Sequence, residues 1–270
     1  MVAANPGMPI KLLQTLRFSF SRVLASNGRT ERKLKMNSVL KEILETRKVR
    51  KGSEEMALID EIDPEKGKLV DRAFRAVKPT CSVEVGFAFG ISALYACDAL
   101  KANGNPCRHI IMDPNQTSGY RGLGLANIER AGFLDMIELH ERGSEIVLPQ
   151  LFAEGLKIQA AIIDGWHTFD HTLVDFFYIN KMLEVGGVVI IDDTSWPSIS
   201  QVVDHILTYP SYEIFGSTLI KPGRLRQQVR QGLAKRSGAK FLKRPWDYGT
   251  ATAFRKIAPD SRAWDWHVPF

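Results

Sequence analysis

Long apolar runs are missing from this chain. None of its segments approaches the roughly 20 apolar residues that a membrane-crossing helix needs, although 44% of the 270 residues are hydrophobic. That content fills one sizeable core, and at roughly 150 residues per domain the length allows one or two domains; one elaborated domain is expected. Cysteine is scarce as well. Cys81, Cys97 and Cys107 are odd in number and lie in or beside apolar segments, which suits reduced, buried thiols rather than a disulfide framework. No secretory leader pattern, internal repeat or low-complexity tract is evident, and a cytoplasmic location is expected. The Gly-x-Gly-x-x-Gly fingerprint of dinucleotide binding is absent too.

Acidic residues are unevenly withheld. Residues 1–51 hold 12 Lys and Arg against 3 acids, and residues 221–244 hold 9 against none. Residues 52–220 hold 12 against 24 acids, so the net charge of +6 conceals an acidic body with two basic attachments. Such bias speaks to partners rather than to fold. Residues 8–25 mix apolar and basic residues, as in a surface helix lying on an anionic membrane or in an organelle transit peptide; a helix packing on its own domain or on a sister subunit is the commoner reading. The stretch 27–51 reads as a linker with a helix near Asn37–Lys48. The second basic run suits a lid or clamp over an anionic or lipid-linked substrate, or a solvated helix. Nucleic acid is disfavoured, because only Phe241 and Trp246 accompany that run. The aromatic tail, Trp264, Trp266, His267 and Phe270, is expected to pack or to join subunits in a homo-oligomer.

What the body does contain is the stretch Ser82–Ser92, an apolar run leading to an acid and two glycines four apart, and then strand-like runs ending in acids at His109–Asp113, Ala160–Asp164 and Val188–Asp193. Helical patterns follow them, and a helix over Pro64–Val77 precedes the first. Further helices are expected over Gly90–Leu100, Gly122–Ala131, Asp170–Leu183 and Ser198–Leu207, and further strands at Met136–His140, Tyr212–Ile220 and Thr250–Lys256. Strands alternating with helices predict an α/β fold: a doubly wound, Rossmann-like sheet of seven strands, mostly parallel with one antiparallel edge strand and helices on both faces. The expected divisions are an N-terminal extension at 1–63, the main domain at 64–257 with a basic insertion at 221–246, and a tail at 258–270.

In such sheets ligands bind beyond the carboxyl ends of the strands, so the acids converge on one crevice. The turn Glu84-Val85-Gly86-Phe87-Ala88-Phe89-Gly90 lets backbone approach a ligand, and the helix after it aims free amides at the same place. Asp113 stands where an acid can hold a ribose. Ser144 follows Gly143 at a helix start and is expected as its N-cap. Asp164-Gly165-Trp166-His167 delivers a carboxylate, an aromatic and an imidazole together. If the strands ending at Asp164 and at Asp192-Asp193 are neighbours, three carboxylates meet, and oxygen ligands of that kind suit Mg²⁺, Mn²⁺ or Ca²⁺. His167 can then act as a base at neutral pH. His171 and Asp175 are four apart on the next helix and are read as structural.

Over roughly Pro64–Phe254 these motifs resemble class I S-adenosylmethionine-dependent methyltransferases, and within them the metal-dependent O-methyltransferases typified by catechol O-methyltransferase. The resemblance implies that Glu84, Gly86, Gly90 and Ser92 line the methionine and ribose part of the cofactor site. It also implies that Asp113 holds the ribose hydroxyls, Ser144 lies near the adenine and Trp166 stacks on it. Asp164, Asp192 and Asp193 fall on metal-ligand positions, with Asp164 and His167 catalytic. Catechol enzymes carry lysine at the place of His167 and asparagine at that of Asp193. The Asp-Gly-Xaa-His loop looks more like bacterial methyltransferases of sugars and natural products, which points to a hydroxyl on a sugar, glycolipid or secondary metabolite. Two other classes stand beside this one: a nicotinamide-dependent oxidoreductase, against which the glycine spacing argues, and a non-catalytic scaffold binding membrane or a partner through its basic ends.

Overall fold

The structure is a computed structural model that describes residues 36–59, 63–104, 106–218 and 249–267. All of them belong to one compact unit, Met36–Phe270. The expected helix at 8–25, the insertion at 221–246 and Phe270 lie outside the described residues.

The chain runs through α1 (Ser38–Thr46), the hairpin β1 (Lys48–Lys51) and β2 (Glu54–Ala57), then α2 (Pro64–Val77), β3 (Cys81–Val85), α3 (Ile91–Asn103), β4 (Arg108–Met112), α4 (Leu123–Arg130) and β5 (Ile137–His140). It continues through α5 (Ser144–Ala153), β6 (Ile158–Ile163), α6 (Phe169–Met182), β7 (Leu183–Asp192), α7 (Pro197–Ile206), β8 (Tyr212–Ser217) and β9 (Ala251–Lys256). Seven strands form one sheet in the order β5-β4-β3-β6-β7-β9-β8. The first five in that order pair in parallel, while β9 pairs antiparallel with both β7 and β8. The expected architecture therefore forms, with the last strand slotted between its two predecessors.

Alternation along the strands explains the two layers. Val83, Val85, Ile110, Met112, Ile163 and Ile191 point to the face covered by α5, α6 and α7. Ile111, Ile162 and Ile190, one register step away, point to the face covered by α1 to α4. Burying such a side chain stabilises the fold by about 1.5–3 kcal/mol, which is why these strands read as near-continuous apolar runs.

Local expectations change at three places. Residues 48–57 form a hairpin whose first strand falls in the expected linker 27–51, because Val49 alternates inward and is fully buried while Lys48, Arg50 and Lys51 stay in water. Together with Val39, Leu40 and Ile43 of α1, it belongs to the main core. The expected Ser144 cap is also displaced: Gly143 takes the N-cap position and Ser144 is the first helical residue. In the tail Trp264 is 98% exposed and does not pack.

α2 brings its first turn to the sheet edge where the acids gather. Asp63 caps it, accepting from the amides of Glu65 (2.6 Å) and Lys66 (3.2 Å), and Pro64 starts it with φ already set. The other Asp63 oxygen accepts from the Thr250 hydroxyl at 3.3 Å, tying the helix start to the approach of β9. Gly67 is buried in the first turn, and a Cβ there would overlap the Tyr95 ring of α3. Alanine at this site gains up to about 1 kcal/mol of helix propensity but forces the two helices apart. Gly67→Ala is expected to destabilise the protein by roughly 1–3 kcal/mol net, as overpacking does, measured by urea unfolding; equal or greater stability would refute the close-approach account.

Candidate active site

The parallel strands β3, β4, β6 and β7 end side by side, bringing Gly86, Asp113, Asp164 and the Asp192-Asp193 pair to one edge. A cleft of about 230 Å³ opens there, lined by Gly86, Ala88, Asp113, Ser144, Asp164 and Trp166 among others. Gly86 adopts φ +84°, and a Cβ on it would overlap the carbonyl of Asp164. The glycine thus admits the β6 loop as well as leaving room in the cleft. Ala88 takes a positive φ of 47° without being glycine and lies in the same turn. It is held there by Asp113, whose Oδ2 accepts from the amides of Phe87 (3.1 Å) and Ala88 (2.8 Å), while Oδ1 accepts from Asn115 (2.8 Å). Asp113 therefore lines the cleft and fastens its floor at once.

Three of the residues expected at the cofactor site, Glu84, Gly90 and Ser92, do not line this cleft. Glu84 is fully buried, with Ser92 donating to its Oε1 and His109 Nε2 2.8 Å from its Oε2; His109 Nδ1 in turn meets the Ser82 hydroxyl at 2.8 Å. Ser82 and Glu84 share a strand face with His109 opposite, so period-two alternation turns both acid and serine inward. Gly90 is the N-cap of α3 at φ +77°, against the Phe87 ring. Gly86, Asp113, Ser144 and Trp166 do line the cleft. Trp166 is 64% exposed at its rim, its ring 5.9 Å from that of His171.

Beyond the cleft lies the acidic cluster. Burial, reinforced by the charge of Asp192 and a hydrogen bond shared with it, pushes the Asp164 carboxyl well above the usual carboxylate range. Asp192 is raised too, first by burial, with Lys66 opposing the shift. Asp193 follows the end of β7 in a left-handed backbone conformation, φ +48°, a strained state that clusters at functional sites. His167 sits between the acids: Nε2 is 3.8 Å from Asp164 Oδ1 and Nδ1 is 3.6 Å from Asp193 Oδ2. Both separations exceed hydrogen-bond length. The Trp196 ring lies 5.3 Å from the imidazole and is half-exposed, and the Ser198 hydroxyl donates to the His167 carbonyl at 2.9 Å.

The residue that the sequence reading missed is Lys66. Its Nζ lies 2.8 Å from both carboxylate oxygens of Asp192 and 3.0 Å from Asp193 Oδ1. Burial would lower its pKa, but the two aspartates outweigh that and raise it. Its only sequence signal is a lysine beside glycine in the first turn of a helix, where the helix dipole disfavours a cation. The metal expectation meets this directly. Among the described residues no group of three His, Cys, Asp or Glu side chains is arranged to hold a metal ion, and an ammonium already occupies the space between two of the proposed ligands. The cluster as built does not fit a divalent cation.

This fold, with a cleft beyond its strand ends, is that of class I methyltransferases. Residues 83–194 match the family described as a methyltransferase domain. An O-methyltransferase from Bacillus cereus solved in complex with SAH has a similar structure, at TM-score 0.54 and 17% identity over 67% of this chain and 84% of that one. A putative O-methyltransferase from Klebsiella pneumoniae is similar at TM-score 0.57 and 14% identity, over 82% and 90%. TomG from Streptomyces achromogenes, an O-methyltransferase of tomaymycin synthesis solved with SAM, is similar at 0.51 and 18%, over 84% and 92%. No curated protein matches the chain significantly. No helix among the described residues is long and apolar enough to cross a membrane.

Asp175 of α6 lies behind Ser144, 2% exposed. Burial pushes its carboxyl up to about 6, with a hydrogen bond from Ser144 and the His171 charge opposing and Glu145 adding to the rise. Because the folded value exceeds the unfolded one near 3.8, the folded state keeps a proton that the unfolded state has lost; the associated stability is full below about pH 4 and is lost as pH rises through about 6. Asp175→Asn is expected to flatten the stability profile across that window and to raise stability at pH 7.5 by up to about 3 kcal/mol. Thermal melts from pH 4 to 8 check this; an unchanged profile would sink the assignment.

Proposed function

We propose that the protein is an S-adenosylmethionine-dependent O-methyltransferase acting on a hydroxyl of a sugar, glycolipid or secondary metabolite. The observation that carries the proposal is the placement of His167 beside the cofactor cleft, flanked by carboxylates and under an exposed tryptophan. The cleft residues Gly86, Asp113, Ser144 and Trp166 suit an adenosyl group: an acid for ribose hydroxyls, a serine and an exposed aromatic face for the base. S-Adenosylmethionine, when bound, supplies a methyl group activated on a sulfonium.

His167 takes the proton of the acceptor hydroxyl as the oxygen bonds to the methyl carbon and the carbon–sulfur bond breaks, its electron pair remaining on sulfur. Asp193, whose Oδ2 lies 3.6 Å from Nδ1, stabilises the imidazolium that results. Lys66 stands where Mg²⁺ was expected, and the carboxylates are neutralised by its ammonium. Trp196 and Trp166 offer apolar faces to the acceptor, and a sugar ring or an aromatic metabolite meets such faces well. The role of TomG in tomaymycin synthesis supports a secondary-metabolite acceptor. The basic residues 221–244 suit an anionic or lipid-linked one. A peripheral membrane contact through residues 8–25, a cytoplasmic location and a homo-oligomer complete the reading.

Calorimetric titration of S-adenosylmethionine is expected to show binding in the micromolar range, and its absence would remove the proposal. With labelled donor and a panel of sugars, glycolipids and phenolic metabolites, His167→Ala should lower kcat by about 10²- to 10⁴-fold, the usual share of a general base, while leaving donor affinity unchanged. Equal losses in donor binding would place His167 in the cofactor site instead.

A further inference from the structure

Lys66 is nearly buried, with 9% of its side chain exposed, and it bridges the carboxylates of Asp192 and Asp193 at the end of β7. A cation in the first turn of a helix works against the helix dipole, and a buried one must be paired to be tolerated. This one is paired twice, at 2.8 and 3.0 Å. Three independent contacts hold it there: the Asp63 cap on its own amide, the Thr250 hydroxyl on Asp63, and the glycine at 67 that lets α2 close onto Tyr95. Asp193, whose other oxygen faces His167, is thereby kept in its left-handed conformation.

We propose that Lys66 is the resident cation of this site, a positioning residue that takes the place of a divalent metal ion, neutralises Asp192 and holds Asp193 against the base. This rests on the methyltransferase reading for its catalytic meaning but not for its geometry. An ammonium offers a single charge and directed N–H donors, and it has no vacant coordination position for an acceptor oxygen. The carboxylates are therefore neutralised without a Lewis acid, and deprotonation of the acceptor falls to His167. Removing the ammonium leaves two, and with Asp164 three, carboxylates without a counter-charge. That set of oxygen donors is what a hard divalent cation binds.

The full chain is titrated with Mn²⁺, followed by the loss of the free-ion electron paramagnetic resonance signal, for the wild type, Lys66→Ala, Lys66→Arg and the double variant Lys66→Ala with Asp192→Asn. The wild type and Lys66→Arg are expected to show no saturable binding up to about 1 mM, the weak end of protein cation sites. Lys66→Ala should bind at least roughly tenfold more tightly than the wild type, toward the range of built carboxylate sites, and the double variant should lose that gain. A purely structural lysine would give no such gain on removal. Saturable micromolar Mn²⁺ binding by the wild type, or a Lys66→Ala variant no better than the wild type, would overturn the proposal. If Lys66→Ala fails to fold by circular dichroism, the wild-type and Lys66→Arg titrations decide alone. S-Adenosylmethionine titrated in parallel, with and without chelator, separates the two claims: failure to bind removes the methyltransferase reading and leaves the Mn²⁺ comparison standing, whereas chelator-sensitive binding counts against Lys66.

Discussion

A parallel sheet collects the carboxyl ends of its strands at one edge, and this chain ends several of those strands in acids. The resulting concentration of negative charge is the constraint to which the neighbouring elements answer. Asp113 is answered by backbone amides, Asp164 by a hydrogen bond shared with Asp192, and Asp192 with Asp193 by the Lys66 ammonium. Each solution uses a different donor because each strand end faces different surroundings. The amides come from the glycine turn, and the ammonium comes from a helix that arrives from across the sheet.

Those answers also divide the edge into two working halves. Where backbone amides neutralise the acid, the floor is rigid and open, and the cleft forms over Gly86, Ser144 and Trp166. Where a buried cation does so, the acids are packed and strained, and His167 is presented between them with Trp196 alongside. The cleft and the His167 cluster thus lie side by side on one sheet edge. The Asp164–Gly165–Trp166–His167 loop spans both, because Gly86 lets its backbone lie close against the turn after β3.

The buried Glu84–His109 pair makes a separate point about motif residues. An acid at the end of the first strand of such a sheet invites a ligand role, yet here both oxygens are engaged in the core by Ser92 and His109. A fully buried polar network of this kind is tolerated only when its members are paired. It supports the turn from beneath, with Ser92 in the first turn of α3 and Glu84 one residue before the end of β3.

The sequence by itself determined the layered sheet, its strand ends and the meeting of Asp164, His167, Asp192 and Asp193, because apolar period and turn chemistry are local and the parallel topology places successive strand ends together. It could not tell which way Glu84 faces, since that depends on which register parity meets His109. Nor could it show that residues 48–57 pair as a hairpin, where Val49 alone is fully buried and Met56 packs partly against the core. Least legible was Lys66, 126 residues from Asp192. Its pairing exists only because Gly67 seats α2 against Tyr95 and Asp63 ties the helix start to Thr250. Tertiary packing alone decided that the cation among these acids is a side chain of the protein itself.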